Sequence, residues 1–115
     1  MFINEYIDIA ADDQATQRAN ESELLTRTIN SMIDSDSNPT DLTRRIKTLH
    51  FIREVWTYFL NDLASQENAT PAELKASLIS IGIFIIKHLE KMRSDTTVTF
   101  EPLVEITETI RKGLN

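Results

Sequence analysis

One acidic cluster and two histidines are the residues whose types and spacing suggest chemistry, and that chemistry is metal binding. The segment 34–38, Asp-Ser-Asp-Ser-Asn, begins like a calcium-binding EF-hand loop. Such a loop needs glycine at its sixth position and a bidentate glutamate at its twelfth. Pro39 and Arg45 occupy those positions here. We therefore interpret the cluster as a capped turn between two helices.

His50 and His88 are the only histidines of the chain, and cysteine is absent. A zinc site needs three or four ligands, and neither histidine lies in an H-E-x-x-H motif. No nucleophile is paired with a base, and the two glycines are too far apart for a phosphate-binding loop. We expect partly buried, hydrogen-bonded imidazoles, with no metal, no cofactor and no enzymatic activity. A small metal-dependent or hydrolytic enzyme is an alternative that a metal-content measurement would test.

The composition favours helices that fold into one domain. Only two glycines and three prolines occur among 115 residues, whereas sandwiches and barrels need many tight turns built from them. A length of 115 residues and 41% hydrophobic residues suit a single globular domain, here residues 1–115. The longest apolar run, residues 78–86, is too short to span a bilayer, which takes roughly 20 residues. Without a basic, apolar leader at the N-terminus, a cytoplasmic location is expected.

The negative charge is concentrated in the N-terminal third of the chain. Residues 1–38 contain eight acidic and two basic residues, whereas residues 39–115 contain ten of each. An acidic chain is a poor candidate for nucleic-acid binding, which requires neutralisation of phosphates. An RNA-binding regulator is the alternative, and the short basic segment that would support it consists of Arg44, Arg45, Lys47 and Arg53.

Apolar periodicity and capping residues predict an all-α bundle of four to five helices. Residues 1–19 are expected to form a weak helix or a weakly packed N-terminal arm. A firmer helix begins near Asn20, carries Leu24, Leu25, Ile29, Met32 and Ile33 on one face, and ends at the acidic cluster.

The second helix is expected to open at Asn38-Pro39 and to run to about residue 65. Thr70-Pro71-Ala72-Glu73 predicts the third, with a capping hydroxyl, a first-turn proline and a glutamate at the third position. Residues 94–99 form a link, and the last helix turns Phe100 inward and ends at Gly113.

The second and third helices are expected to form a central antiparallel hairpin. The third helix is apolar on nearly every side, so it carries more apolar surface than a single neighbouring helix can cover. Its lack of a basic face argues against membrane insertion. The predicted core consists of Leu49, Ile52, Trp56, Phe59, Leu63, Leu74, Leu78, Ile81, Ile85, Leu103 and Ile106. The wider apolar stripe of the second helix also includes Leu42, Ile46, Val55 and Leu60.

Two aromatic residues of the second helix lie off its apolar stripe. Phe51 and Tyr58 are seven residues apart and therefore share a face, which also carries Arg44 and Lys47. Because aromatic and arginine side chains are enriched in interfaces, these four residues form a candidate partner-binding site. The alternative is that the first or the last helix covers the two aromatic rings.

From residue 42 onward the chain resembles a known family, the alphaproteobacterial flagellar biosynthesis regulator FlaF. The similarity covers most of residues 15–114, with departures at Ala69-Thr70-Pro71, where Leu-Pro is usual, and at Lys75, which replaces an arginine. The segments that carry it are Glu23–Arg27, Val55-Trp56-Thr57 followed by Phe59, Asp62-Leu63, Pro71, Glu73–Ala76, Leu78–Ile81 and Leu103–Leu114.

The resemblance implies a cytoplasmic factor that binds flagellin before its export. Such a factor promotes flagellin synthesis and secretion as a chaperone and regulator, and it acts opposite the translational regulator FlbT. Flagellin is thus the expected partner and FlbT a second one, without direct nucleic-acid binding. Composition and periodicity alone predict only a helical protein that binds other proteins.

Overall fold

The computed structural model describes residues 14–113, which contain four α-helices and no strand. The helices are α1 (Gln14–Asp36), α2 (Leu42–Ala64), α3 (Ala72–Ser94) and α4 (Glu101–Gly113). The prediction of an all-α fold with four to five helices is confirmed. Most of the expected N-terminal arm, residues 1–13, lies outside the described residues.

Two helix starts differ from the sequence-based predictions. The first helix begins at Gln14, six residues before Asn20, because Gln, Ala and Arg are good helix formers that need no apolar partner to extend a helix. The second begins at Leu42 and not at Asn38-Pro39. The Asn38 side-chain amide donates to the carbonyl of Asp34 at 2.8 Å, so Asn38 caps the end of α1.

The capping box predicted for the third helix does not form. Pro71 is the residue before α3 and has an extended ψ of 144°, without a side-chain hydrogen bond at the cap. The backbone N–H of Thr70 donates to the side chain of Asn68 at 2.9 Å, which holds Thr70 in the preceding turn. The carbonyl of Pro71 accepts the first helical hydrogen bond, from Lys75 N at 2.8 Å.

The described residues divide into two compact units, residues 14–42 with 100–113 and residues 43–99. In the first unit α1 packs against α4. The predicted α1 face is buried except for Ile33, which is 48% exposed, and Ile106 of α4 is half-buried. The buried apolar residues of this unit are Leu24, Leu25, Ile29, Met32, Phe100 and Leu103.

A carboxylate of α1 fixes the start of α4. The backbone N–H of Phe100 donates to both carboxylate oxygens of Asp36, at 3.0 and 3.1 Å. The carbonyl of Phe100 accepts the first bonds of α4, from the N–H groups of Leu103 and Val104. Since the last residue of α1 meets the first turn of α4, the two packed helices run antiparallel.

In the second unit α2 and α3 form an antiparallel hairpin. Arg45 near the start of α2 bonds to the end of α3, and Arg53, about two turns further along α2, pairs with Glu90. Toward the turn, Gly82 lies against Leu60 and Trp56: a Cβ built on Gly82 would be 2.6 Å from the nearest Leu60 carbon. Glycine therefore lets the two helices approach closely at this point.

Five of the predicted core residues are buried, namely Ile52, Trp56, Leu63, Ile85 and Leu103. Five more are half-buried: Leu49, Phe59, Leu78, Ile81 and Ile106. Leu74 is 52% exposed, contrary to the prediction. It lies in the first turn of α3, where fewer neighbouring side chains cover the helix than in its middle. Leu42 and Ile46 of the α2 stripe are exposed as well.

The guanidinium of Arg45 holds the end of α3 and the following link. It donates to the carbonyls of Met92 at 2.8 Å, Asp95 at 3.0 Å and Val98 at 2.9 Å. The last carbonyls of a helix have no partner within the helix and carry its negative dipole end. One cation on α2 therefore satisfies groups of α3 and the link at once.

Replacing Trp56 by Ala is expected to destabilise the protein severely. The side chain is 2% exposed and its ring meets that of Phe59 edge-on, with centroids 5.5 Å apart. Truncation of a buried Trp costs about 3–5 kcal/mol, against a total of about 5–15 kcal/mol for a domain. Thermal unfolding followed by circular dichroism measures the effect, with exposed Thr57→Ala as control. Melting within a few degrees of the parent would contradict the placement of Trp56.

Replacing Arg45 by Met is expected to lower the free energy of unfolding by about 1–3 kcal/mol, because three carbonyl groups lose a charged donor. Lys47→Met removes an exposed cation from the same helix and should change stability by less than about 0.5 kcal/mol. Urea denaturation of both variants gives the comparison. Equal stability of the two variants would show that the three hydrogen bonds contribute nothing.

Candidate partner-binding surface

An apolar surface remains exposed on one side of the hairpin. Ile46 is 65% exposed and Ile83 is 47% exposed. Half-buried apolar residues lie on the same side, namely Leu49 and Leu60 on α2 with Ile79 and Ile86 on α3. We call this surface the hairpin face, and it consists of Ile46, Leu49 and Leu60 of α2 with Ile79, Ile83 and Ile86 of α3.

An ion pair shows that the two helices contribute to the same side of the hairpin. Arg53 follows Ile46 by seven residues and Glu90 follows Ile83 by seven, so each lies on the apolar line of its own helix. The Arg53 guanidinium bonds directly to the Glu90 carboxylate. The two lines therefore run side by side on one surface.

The charged groups on the hairpin face are coupled to one another. Glu90 accepts hydrogen bonds from Arg53 and, at 3.3 Å, from Arg93. The hydrogen bond from Arg53, followed by the charges of Arg93 and Arg53, holds the pKa of Glu90 below its usual value of 4.5. Two cations thus share one carboxylate, which leaves this part of the surface positive.

The predicted binding residues Phe51, Tyr58, Arg44 and Lys47 lie on another side of α2. Phe51 is five residues from Ile46, which places the two side chains about 140° apart around the helix. Phe51, Tyr58 and Arg44 are half-buried and Lys47 is exposed. The Tyr58 ring packs against Phe59 with centroids 5.6 Å apart. Whether these four residues bind a partner stays a prediction.

The two histidines have different environments. The Nε2 of His88 is 2.8 Å from the carbonyl of Thr99, and its ring lies beside that of Phe84. His50 was expected to be partly buried, but its side chain is 68% exposed and pairs with Glu54 one turn later. An exposed position follows because His50 lies beside the uncovered line of Ile46 and Arg53 on α2.

The acidic cluster that resembles a calcium loop is the end of α1. Its Asp36 carboxylate is occupied by the Phe100 N–H, and its Asp34 carbonyl by Asn38. Among residues 14–113, no three metal-ligating side chains come together. Within the same residues, none of the helices combines the length and the apolar composition that crossing a membrane requires.

Sequence reasoning placed Ile46 in the core stripe and did not single out Ile83. The one signal for the hairpin face was that α3 is apolar on more sides than a neighbour can cover. Helical periodicity locates apolar residues on a face, but the number of neighbours that cover the face is a tertiary property.

Replacing Glu90 by Gln is expected to lower stability at neutral pH but not in acid. Because the folded-state pKa of Glu90 is lowered, its contribution is complete above about pH 4.5 and is lost as the pH falls through the lower, folded-state value. Melting temperatures of parent and variant, measured from neutral to acidic pH, should therefore converge in acid. Glu67→Gln, an exposed change in the turn after α2, is the control. A gap that persists in acid would contradict the assignment.

A family model described as "Flagellar protein FlaF" matches residues 2–114. No curated protein and no solved structure matches the chain. The family match extends over nearly the whole length, including all four helices and the hairpin face. The chain therefore belongs to the FlaF family of flagellar proteins.

Proposed function

We propose that this protein binds flagellin in the cytoplasm before export, and that it promotes flagellin synthesis and secretion as a chaperone and regulator. Membership of a flagellar protein family supports the flagellar context. The observation that best supports a binding function is the hairpin face, on which Ile46 and Ile83 are 65% and 47% exposed. Contiguous exposed apolar surface on a folded protein marks sites of protein interaction.

The shape of the hairpin face suits a helical partner. On α3 the apolar side chains follow at three- and four-residue steps, and the α2 line runs beside them. Such a pair of helices can accept the apolar side of an amphipathic helix. A chaperone that covers an apolar segment of flagellin would keep it from aggregating. Moderate affinity is expected, since export requires release.

The contacts made by the basic segment favour protein binding over RNA binding. Arg45 donates three hydrogen bonds to backbone carbonyls, and Arg53 pairs with Glu90. Neither guanidinium is available for phosphates without breaking those contacts. We accordingly propose that regulation opposite FlbT proceeds through protein contacts, and that the chain acts as a binding protein without catalytic activity.

The protein is expected to bind purified flagellin directly. Isothermal titration calorimetry at physiological salt and at two temperatures measures this, because burial of apolar surface gives a negative heat-capacity change. FlbT, titrated alone and into the complex, tests whether the second partner binds and competes. Flagellin mRNA serves as the control. Binding to the mRNA without binding to flagellin would overturn the proposal in favour of an RNA-binding regulator.

A further inference from the structure

We propose that the hairpin face is the flagellin site and that it selects an amphipathic flagellin helix whose polar edges are acidic. The inference deepens the proposed function by naming the surface and the chemistry of the bound segment. It rests on the position of the apolar lines, on their exposure and on the charged side chains on and beside them.

The apolar lines set the length of the ligand. Ile46 and Leu60 are 14 residues apart on α2, which is about 21 Å along a helix axis. On α3 the line runs from Ile79 to Ile86 in the opposite direction. A bound helix of roughly four turns, with apolar residues at i, i+3 or i+4 and i+7, would match this length.

The close approach of the helices shapes the middle of the surface. At Gly82 the absence of a side chain lets Leu60 and Trp56 contact the α3 backbone region, so the apolar lines of the two helices are drawn together there. Leu60 is consequently half-buried, whereas Ile46 and Ile83 stand out further from the surface. The two exposed isoleucines are therefore the side chains with the most apolar area left to bury on binding.

The charged side chains on and beside the hairpin face are net positive, with Arg53, Lys87 and Arg93 against Glu54 and Glu90. Arg53 and Arg93 share the single carboxylate of Glu90. Lys87 is exposed and lies one turn beyond Ile83, on the outer edge of the α3 line. The His50–Glu54 pair lies at the opposite edge of the α2 line.

The net charge of the whole unit has the same sign as the charge of the hairpin face. Residues 43–99 contain eight basic and six acidic side chains, a net charge of +2, within a chain whose net charge is −6. A partner helix with lysines or arginines along its edges would meet like charges, whereas aspartates or glutamates would meet complementary ones. Charge complementarity of this kind provides specificity and speeds association more than it adds affinity.

The first experiment removes the apolar anchors. Ile46→Ser with Ile83→Ser should weaken flagellin binding at least tenfold in calorimetry while leaving the melting temperature close to that of the parent. Leu74→Ser is the matched control, since Leu74 is 52% exposed on α3 but lies off the hairpin face. If the double variant is unstable, the single change Ile46→Ser at the most exposed position is used in its place.

The second experiment tests the charge preference with synthetic helical peptides. One peptide carries leucines at the anchor spacing and glutamates along both edges, and a second carries lysines in place of the glutamates. The acidic peptide should bind at least tenfold more tightly, and Lys87→Glu with Arg93→Glu should remove the difference. Equal affinities of the two peptides would overturn the charge assignment.

Failure of the inference differs from failure of the proposed function. If the double Ser variant binds flagellin as the parent does, another surface binds flagellin and the inference is wrong, while the function stands. If the parent binds the acidic peptide and not flagellin, the function is wrong. If analytical ultracentrifugation shows self-association that the double variant loses, the occupant is a second copy and the inference is overturned.

Discussion

The three hydrogen bonds from Arg45 are the contact on which the end of the hairpin depends. Carbonyls at the end of a helix need partners, and a polar link after the helix has few apolar groups to hold it in place. The guanidinium supplies donors to the last turn of α3 and to the link together. His88 contacts Thr99 at the end of that link, and Asp36 then binds the N–H of the next residue, Phe100. Polar side chains thus determine where α3 ends and where α4 begins.

Close packing at Gly82 determines which surface of the hairpin remains for a partner. Because Trp56 and Leu60 lie against Gly82, the helices meet along this line. The residues on the remaining side, Ile46 and Ile83 above all, receive incomplete cover. The Arg53–Glu90 pair bridges the helices on that side without closing it. Family membership places this surface in a flagellar protein. Its apolar and positive character is the reason for proposing an amphipathic partner helix with acidic edges.

Most of the secondary structure could be predicted from the sequence, because caps and periodicity are local properties. The ends of the second and third helices and the last helix, with Glu101 at its start and Arg111 and Lys112 in its final turn, agree with the structure. The start at Leu42 and the missing cap before Ala72 differ from the prediction because Asn38 bonds back to the end of α1 and Asn68 holds Thr70 in the preceding turn. Asx-type residues have several backbone partners within reach, so local rules do not choose between them.

The sequence by itself determined the helical class, the apolar lines and the family, since these follow from residue types and their spacing. Only the tertiary structure decided which apolar residues are core. Periodicity places Ile46 and Ile52 on the same apolar stripe. Yet Ile52 is buried and Ile46 is the most exposed of the large apolar side chains described. The structure also revealed that Asp36 caps a helix 64 residues later in the chain and that Arg45 binds carbonyls about 50 residues away. Burial and long-range hydrogen bonds depend on which segments become neighbours, and no local pattern encodes that information.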